Sequence, residues 1–274
     1  MTTVQTYIEK DARKQMITGG VLVGVALIFF MGLFTFNASS ILLAVLYSGV
    51  FAISGSTLLR KGYLDFQKSK NTIIDFNKDQ SSTFIEKVPA RMFVGQREKE
   101  FFKAELYDMA GESYGKIEED SAYKRKYSFL LAAIMSYGSI RPVDFNMTDQ
   151  YGSHFYRIER KGGFTWRGYV QNNKGKYVAY TESSKDKATG QRVYRYIEKD
   201  GFRWSAEGDE QVAHFKIKDT SGKVWAVLKS GAVPVEAADR FNDIQGSVIE
   251  WKVRKNIPNS LMAFVFLLQT RYQI

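Results

Sequence analysis

The chain has 274 residues, no cysteine, a net charge of +10 and a pI of about 9.5. Without cysteine it holds no disulfide, thiol nucleophile or thiolate metal site, and its length allows one or two domains with a sizeable core. The excess of basic residues favours an anionic partner, either nucleic acid or acidic lipid. The aromatic content of 15% favours β-structure.

Two apolar stretches near the start predict a transmembrane hairpin. No charged residue occurs between Lys14 and Arg60, and residues 17–36 and 41–59 each provide about the 20 residues that a helix needs to cross a bilayer. A polar tetrapeptide between them predicts a tight turn. Because Lys and Arg flank the hairpin and are missing from the turn, the positive-inside rule places both ends in the cytoplasm. We assign residues 1–62 to a membrane anchor.

Both predicted spans contain small residues, which allow two helices to pack closely. They are Gly19, Gly20, Gly24, Gly49, Ser54, Gly55 and Ser56. The contact that they favour is either the one inside the hairpin or one between two copies of the chain.

Residues 63–90 are predicted to form a juxtamembrane linker between the anchor and a cytoplasmic domain at 91–274. The linker mixes bases with Tyr63, Phe66 and Phe76. One interpretation is an interfacial segment whose bases contact acidic headgroups. The other is a helical linker with one solvated face.

From about residue 91 onward a short motif predicts β-hairpins. Asp or Asn is followed three residues later by Gly; the polar residue opens a turn by bonding its own backbone, and Gly closes it with a positive φ. The four copies run from Leu106 to Tyr114, from Val170 to Val178, from Ile217 to Trp225 and from Phe241 to Ile249. Their irregular spacing favours hairpins of varied length in one closed sheet over a solenoid.

The C-terminal segment predicts a buried helix. Residues 261–268 carry no charge or strongly polar group, and a helix that is apolar on all sides is enclosed by protein or lies in lipid. At roughly 15–18 Å it is too short for a span but matches the height of a barrel. Pro258 suits the start of the helix, and Asn259 or Ser260 is a candidate cap. The apolar run 126–138 is also too short to span and predicts a buried helix or core strand.

Hairpins with Asp-x-x-Gly turns that end in an apolar C-terminal helix resemble the tubby-like superfamily, which includes tubby C-terminal domains, LURP-one-related proteins and phospholipid scramblases. The stretch FKIKDTSGKVWAVLK and the terminal helix carry the resemblance, which covers about residues 91–274. It implies about twelve antiparallel strands around a central apolar helix, an arrangement without exposed sheet edges. The predicted fold is therefore α+β, mainly β: an antiparallel closed β-barrel around a hydrophobic C-terminal helix, preceded by two transmembrane helices.

No motif indicates catalysis. His154 and His214 lie in predicted strands, away from any metal-ligand spacing, and no Walker loop, GxSxG or GxGxxG stands at a strand-to-helix turn. Asp108, Asp219 and Asp243 suit turns better than calcium, which needs more converging oxygens. We therefore predict no catalytic residue, no metal site and no cofactor.

Bases interleaved with aromatic residues are candidates for contact with acidic lipid headgroups, because strand alternation can place several on one outer face. These candidates are Arg157, Arg160, Lys161, Arg167, Arg195 and Arg203. The alternative is an ordinary solvated barrel exterior. Nucleic acid is not expected as a partner, because no recognition helix or RNA-binding signature is present.

These features predict a non-enzymatic, multi-pass protein of a cell membrane, with a bacterial membrane favoured. Its cytoplasmic barrel is expected to bind acidic lipid headgroups or a membrane-protein partner, and tethering allows each contact to be weak. Two alternatives are a scramblase-like activity that moves lipid across the bilayer and a stress or immunity protein that acts on another membrane protein.

Overall fold

Two long helices precede a strand-rich region in the computed structural model of the chain. It describes residues 4–32, 38–70, 83–96, 103–120, 143–160, 167–186, 189–198, 201–209, 214–231, 233, 235–241 and 244–270. The helices are α1 (Val4–Gly32), α2 (Ala38–Lys70), α3 (Val235–Phe241) and α4 (Asn259–Gln269). The strands are β1 (Thr83–Lys87), β2 (Arg91–Gln96), β3 (Lys103–Asp108), β4 (Ser113–Glu119), β5 (Val143–Asp149), β6 (His154–Arg160), β7 (Gly168–Asn172), β8 (Tyr177–Lys185), β9 (Arg192–Glu198), β10 (Gly201–Asp209), β11 (His214–Asp219), β12 (Val224–Ser230), β13 (Gln245–Trp251) and β14 (Lys255–Pro258).

Strands β2 to β13 form a closed antiparallel barrel in which each strand pairs with the next along the chain. The pairing of β13 with β2, where Ile249 lies opposite Met92, closes the sheet. Closure pairs every edge, which an open sheet leaves exposed. Strands β1 and β14 form a separate two-stranded sheet. The predicted fold class is confirmed: α+β, mainly strand, with a closed barrel of twelve strands and two long apolar helices before it.

Helix α4, the central helix, lies inside the barrel. Residues 261–268 are all fully buried, among side chains from the inner faces of the strands. The ring of Phe264 meets Tyr196 edge-on, with centroids 6.0 Å apart. A helix without a polar face needs such complete enclosure, so the prediction of a buried C-terminal helix is confirmed.

The start of the central helix differs in detail from the prediction. Pro258 is the N-cap residue, with extended backbone angles. Asn259 and Ser260 both lie inside the helix, so the prediction that one of them caps it is wrong. The Ser260 hydroxyl instead accepts a hydrogen bond from Trp204 Nε1 at 3.1 Å, which ties the helix to β10.

Three of the four predicted hairpin turns are confirmed, at β3–β4, β7–β8 and β11–β12. In each, the glycine N–H donates to the carbonyl of the Asp or Asn that opens the turn, and the glycine has a positive φ that few other residues adopt. These glycines are Gly111, Gly175 and Gly222. A further turn of the same kind, between Asp149 and Gly152, connects β5 to β6.

The fourth predicted hairpin is wrong. Phe241 is the last residue of α3, and Gly246 lies within β13, opposite Gly95 of β2. Helix α3 covers the outer face of the barrel here, and Phe241 stacks on Phe93 with centroids 4.5 Å apart. The motif matched by spacing alone, because the glycine here meets a neighbouring strand rather than closing a turn. Asp243 and the run 126–138 lie outside the described residues.

Helices α1 and α2 pack closely along two glycine contacts. A Cβ on Gly19 would lie 2.7 Å from the carbonyl oxygen of Gly55, and one on Gly62 would lie 2.9 Å from that of Ala12. The predicted small-residue contact inside the hairpin is therefore confirmed at Gly19 and Gly55. A Cβ on Gly20, Gly24 or Gly49 would meet nothing within 4 Å.

Both helices are long and apolar enough to cross a membrane, and both continue beyond the predicted spans. Helix α1 begins at Val4, and α2 runs to Lys70. We call residues 4–16 and 60–70 the hairpin extensions. The second extension enters the predicted linker, so the first part of that linker is helical. The boundaries predicted for the domains themselves stay predictions.

Candidate functional site

A row of residues crosses the outer face of five neighbouring strands. Cross-strand pairing places Asp144 opposite Glu159, Glu159 opposite Tyr169, Tyr169 opposite Tyr180, and Tyr180 opposite Ile197. Their neighbours in sequence pack in the core around the central helix, so these five side chains point outward. We call these five residues the outer row. The hairpin extensions lie along it, and we call the resulting contact the seam.

The α2 extension reaches the outer row first at Asp144. Lys61 Nζ lies 3.4 Å from Asp144 Oδ1, and Arg157 donates to the other carboxylate oxygen at 3.0 Å. Burial alone would lower the pKa of Arg157, but its hydrogen bond to Asp144 and the nearby Glu159 and Asp120 raise it above the ordinary value. A buried carboxylate is stable only with such partners, so Asp144 joins a hairpin base to a barrel base.

Glu159 forms the second ionic contact of the seam. Its carboxylate is almost completely buried and pairs with Lys68 of the α2 extension. Gln171 Nε2 and the Tyr177 hydroxyl donate to the same carboxylate at 2.9 and 3.0 Å. Two barrel donors therefore hold Glu159 in place for the hairpin lysine.

The α1 extension contributes the opposite charge. Asp11 is buried and accepts a hydrogen bond from the Tyr169 hydroxyl at 2.6 Å, and Arg167 Nη1 lies 3.4 Å from its other oxygen. The Arg167 guanidinium also lies over the Tyr7 ring, 4.8 Å from its centroid. Burial opposes the charge of Arg167, but Asp11 and Tyr169 outweigh it, so the pKa of Arg167 is raised.

Aromatic and aliphatic packing completes the seam. Val4 and Ile8 of α1 are buried against Tyr180 and the partly buried Ile197. Tyr7 packs on Tyr180 with ring centroids 4.8 Å apart. Burial, and after it the Tyr7 hydroxyl, raise the pKa of Tyr180 far above its ordinary value. Every residue of the outer row therefore packs against, or pairs with, the hairpin extensions.

The structure distributes the six predicted lipid-binding bases among different environments. Arg157 and Arg167 lie at the seam, as described above. Arg160 is buried at one end of the barrel and donates to the carbonyl of Thr270, just beyond the central helix, at 2.8 Å. Lys161 lies outside the described residues.

The two remaining predicted bases lie on β9 and β10. Arg195 donates to the Ser184 hydroxyl at 3.3 Å. Arg203 donates to both carboxylate oxygens of Glu198 at 3.1 Å. The five described bases thus have partners within the protein and do not form one patch. Their role in lipid binding stays a prediction.

The described ranges contain no group of three or more His, Cys, Asp or Glu placed to hold a metal ion. His154 and His214 are the exposed first residues of β6 and β11, which confirms that both are strand residues. The absence of a catalytic residue and of a cofactor stays a prediction.

Sequence analysis missed the seam, although one signal for it exists. Strand β7 is buried along its whole length, and Tyr169 and Tyr180 stand at outward positions of β7 and β8. An antiparallel sheet with one solvated face alternates polar and apolar residues. Tyrosines at outward positions therefore indicated that another element covers these strands.

Comparison with known proteins leaves the chain without an assigned family. No protein-family model matches it, and no curated protein matches it. Among solved structures, it is similar to an X-ray structure of a protein from Arabidopsis thaliana, with 9% sequence identity and a TM-score of 0.29. The match covers 69% of this chain and 96% of that chain. The resemblance to the tubby-like superfamily stays a prediction.

Proposed function

We propose that the chain is a membrane-anchored, non-enzymatic binding module whose barrel is held in a fixed orientation at the cytoplasmic face, next to acidic lipid headgroups. The observation that carries the proposal is the seam. A flexible tether would need no buried contact with the barrel, whereas here both hairpin extensions pack on one row of five residues. Lys61 and Lys68 of α2 pair with carboxylates of the barrel, whereas Asp11 of α1 pairs with an arginine of the barrel. Because the hairpin contributes both signs of charge, these pairs restrict the barrel to one docking orientation.

The exposed surface of the hairpin supports membrane insertion. Ile28 is 71% exposed and Leu42 is 76% exposed, within helices of which little of the apolar span is buried. A buried core helix of a water-soluble protein would have these side chains covered. Such an apolar surface needs lipid around it, and the distribution of Lys and Arg favours cytoplasmic ends.

The barrel keeps a further face for a partner. Strands β10 to β13 follow the strands of the seam round the barrel, since β10 pairs with β9. Their outer side chains include ion pairs, with Lys218 Nζ 2.6 Å from Glu207 and Lys229 Nζ 2.9 Å from Glu250. A surface of mixed, paired charge suits a protein partner better than a uniformly acidic bilayer. A membrane protein is therefore the second candidate binding partner, and we expect it to bind at this surface.

Energy transfer in nanodiscs tests the proposal with the full chain. All four tryptophans, Trp166, Trp204, Trp225 and Trp251, lie in the barrel region of the sequence, so their emission reports the position of the barrel. We expect strong transfer to lipids labelled at the cytoplasmic headgroup. The double variant Asp144→Asn, Glu159→Gln should weaken it by releasing the barrel from the hairpin. The control Glu207→Gln, Glu250→Gln removes the same charge away from the seam and should leave it unchanged.

Three results would contradict the proposal. They are solubility of the full chain without lipid or detergent, absence of energy transfer, and equal transfer in the seam and control variants. Movement of labelled lipid between leaflets of reconstituted vesicles would instead favour the scramblase-like alternative.

A further inference from the structure

Three exposed bases of the hairpin extensions lie at similar levels along the two helices. The glycine contacts between α1 and α2 fix the antiparallel alignment of the two helices. In this alignment Lys14 and Arg60 lie at the same level, and Lys10 lies level with Leu64 on α2. All three bases are exposed. The two helices therefore carry exposed bases at one level along the hairpin.

These bases have no counter-ion in the part of the chain that the structure describes. Lys10, Lys14 and Arg60 make no ion pair or hydrogen bond there through their side chains, whereas the neighbouring Arg13 pairs with Glu9 at 2.7 Å. The contrast with the barrel is clear, because each described arginine that sequence analysis proposed for lipid binding is engaged within the protein. Lys10, Lys14 and Arg60 therefore provide exposed positive charge on the hairpin.

The depth of this surface matches the headgroup layer. The predicted spans begin at residue 17 and end at residue 59, so with a rise of about 1.5 Å per residue Lys14 and Arg60 lie within about 5 Å of the apolar segments. Lys10 lies about 10 Å away. The polar layer on each side of a bilayer is of similar thickness, roughly 5–8 Å. Lys14 and Arg60 therefore lie within this layer, and the side chain of Lys10 is long enough to reach its outer edge.

Two exposed apolar side chains accompany the bases. Tyr63 is 56% exposed and Leu64 is 49% exposed, one turn beyond Arg60 on the same extension. A tyrosine suits the boundary between headgroups and acyl chains, where its ring is buried and its hydroxyl is hydrated. Exposed bases beside such residues are the composition of surfaces that bind anionic membranes.

We propose that Lys10, Lys14, Arg60, Tyr63 and Leu64 form a basic collar that binds acidic phospholipid headgroups of the cytoplasmic leaflet. The inference rests on the membrane orientation proposed above. It assigns the lipid contact to the hairpin and leaves the barrel arginines to hold the protein together. The collar fixes the depth of the hairpin in the bilayer. Because the seam holds the barrel to the hairpin, it also fixes the distance between the barrel and the membrane.

Spin-labelled lipids test the collar in the full chain. The protein is reconstituted in phosphatidylcholine with and without phosphatidylserine, and the motionally restricted fraction of each labelled lipid gives the preference for acidic lipid. The test variant is Lys10→Gln, Lys14→Gln, Arg60→Gln. The control Lys174→Gln, Lys185→Gln, Lys216→Gln removes three exposed charges from the barrel.

Each base near an acidic surface strengthens attraction to that surface by about fivefold. We therefore expect the collar variant to lose most of the preference, to a ratio of about one, and the control variant to keep it. High salt should weaken the preference of the unaltered chain. An unchanged ratio in the collar variant, or an equal loss in the control, would overturn the inference. Energy transfer from the barrel would still test the proposed module independently.

Discussion

The two faces of strands β5 to β8 are both buried, but by different kinds of contact. Their inner face packs on the central helix with aliphatic and aromatic side chains and almost no charge. Their outer face packs on the hairpin extensions with two carboxylates, two tyrosines and their partners. Inner packing is non-directional and depends on the apolar area removed from water. Outer packing depends on geometry, because each buried charge needs its partner at bonding distance.

The difference separates stability from orientation. Apolar contacts with the central helix determine whether the barrel exists, and the seam determines how it lies relative to the hairpin. Changes on the inner face should therefore unfold the barrel, whereas changes at the seam should release the hairpin from an intact barrel.

Removal of the central helix should have the largest effect. A chain that stops after Pro258 loses seven buried apolar side chains larger than alanine. They contribute on the order of 10 kcal/mol, comparable with the whole stability of about 5–15 kcal/mol of a domain. We expect no cooperative unfolding of the barrel in detergent, followed by near-UV circular dichroism. A native-like transition would show that the barrel is stable without its core.

A single substitution in the central helix should be large but measurable. Phe264→Ala removes a fully buried ring and should lower the free energy of unfolding by about 3–5 kcal/mol. Phe202→Ala is the matched control, because Phe202 is partly exposed on β10 and should cost less than about 1 kcal/mol. Denaturant unfolding followed by tryptophan fluorescence measures both. Equal losses would contradict the importance of the inner face.

At the seam, two acidic residues of α1 allow a direct comparison. Asp11 is buried beside Arg167, whereas Glu9 forms an exposed pair with Arg13. Asp11→Ala leaves the buried Arg167 without its carboxylate and should lower the local stability of the α1 extension by roughly 3–5 kcal/mol. Glu9→Ala should cost at most about 0.5 kcal/mol. Hydrogen exchange of residues 4–15 reads this difference.

Hydrogen exchange in the barrel strands serves as the internal reference for this comparison. If Asp11→Ala unfolds the barrel together with the extension, the division between the two faces is wrong.

A smaller effect than at Asp11 is expected at the turn between β11 and β12. Asp219 Oδ1 accepts hydrogen bonds from the N–H groups of Ser221 and Lys223, and Oδ2 accepts one from Trp225 Nε1 at 2.9 Å. Burial alone would raise the pKa of Asp219, but these bonds, with one from the Ser221 hydroxyl, hold it below the ordinary 3.8.

A carboxylate whose pKa is lowered by folding stabilises the folded state at pH values above its ordinary pKa. This contribution is lost as the pH falls through the lowered pKa of the folded state. Asp219→Asn should therefore cost about 1 kcal/mol at neutral pH. The difference between the two chains should narrow below about pH 4. Melting temperatures measured against pH check this, and a constant difference across the acid range would exclude the carboxylate as the cause.

Much of the architecture follows from local pattern. The apolar segments and the flanking charges predict the helical hairpin, and the Asp-x-x-Gly turns predict three of the connections between strands. The fourth copy of the motif failed because Gly246 serves close packing between β13 and β2. Spacing alone does not distinguish that use of glycine from a turn.

By itself, the sequence determined that two apolar helices come first and that the last helix is enclosed, because apolar length and the lack of a polar face are local properties. Only the tertiary structure decided which charges meet. Asp11 and Tyr169 are far apart in the chain, and they come together because cross-strand register aligns the outer row and the hairpin extensions lie along it. The sequence does not distinguish a base that pairs inside the protein, such as Arg167, from one that remains exposed, such as Lys14.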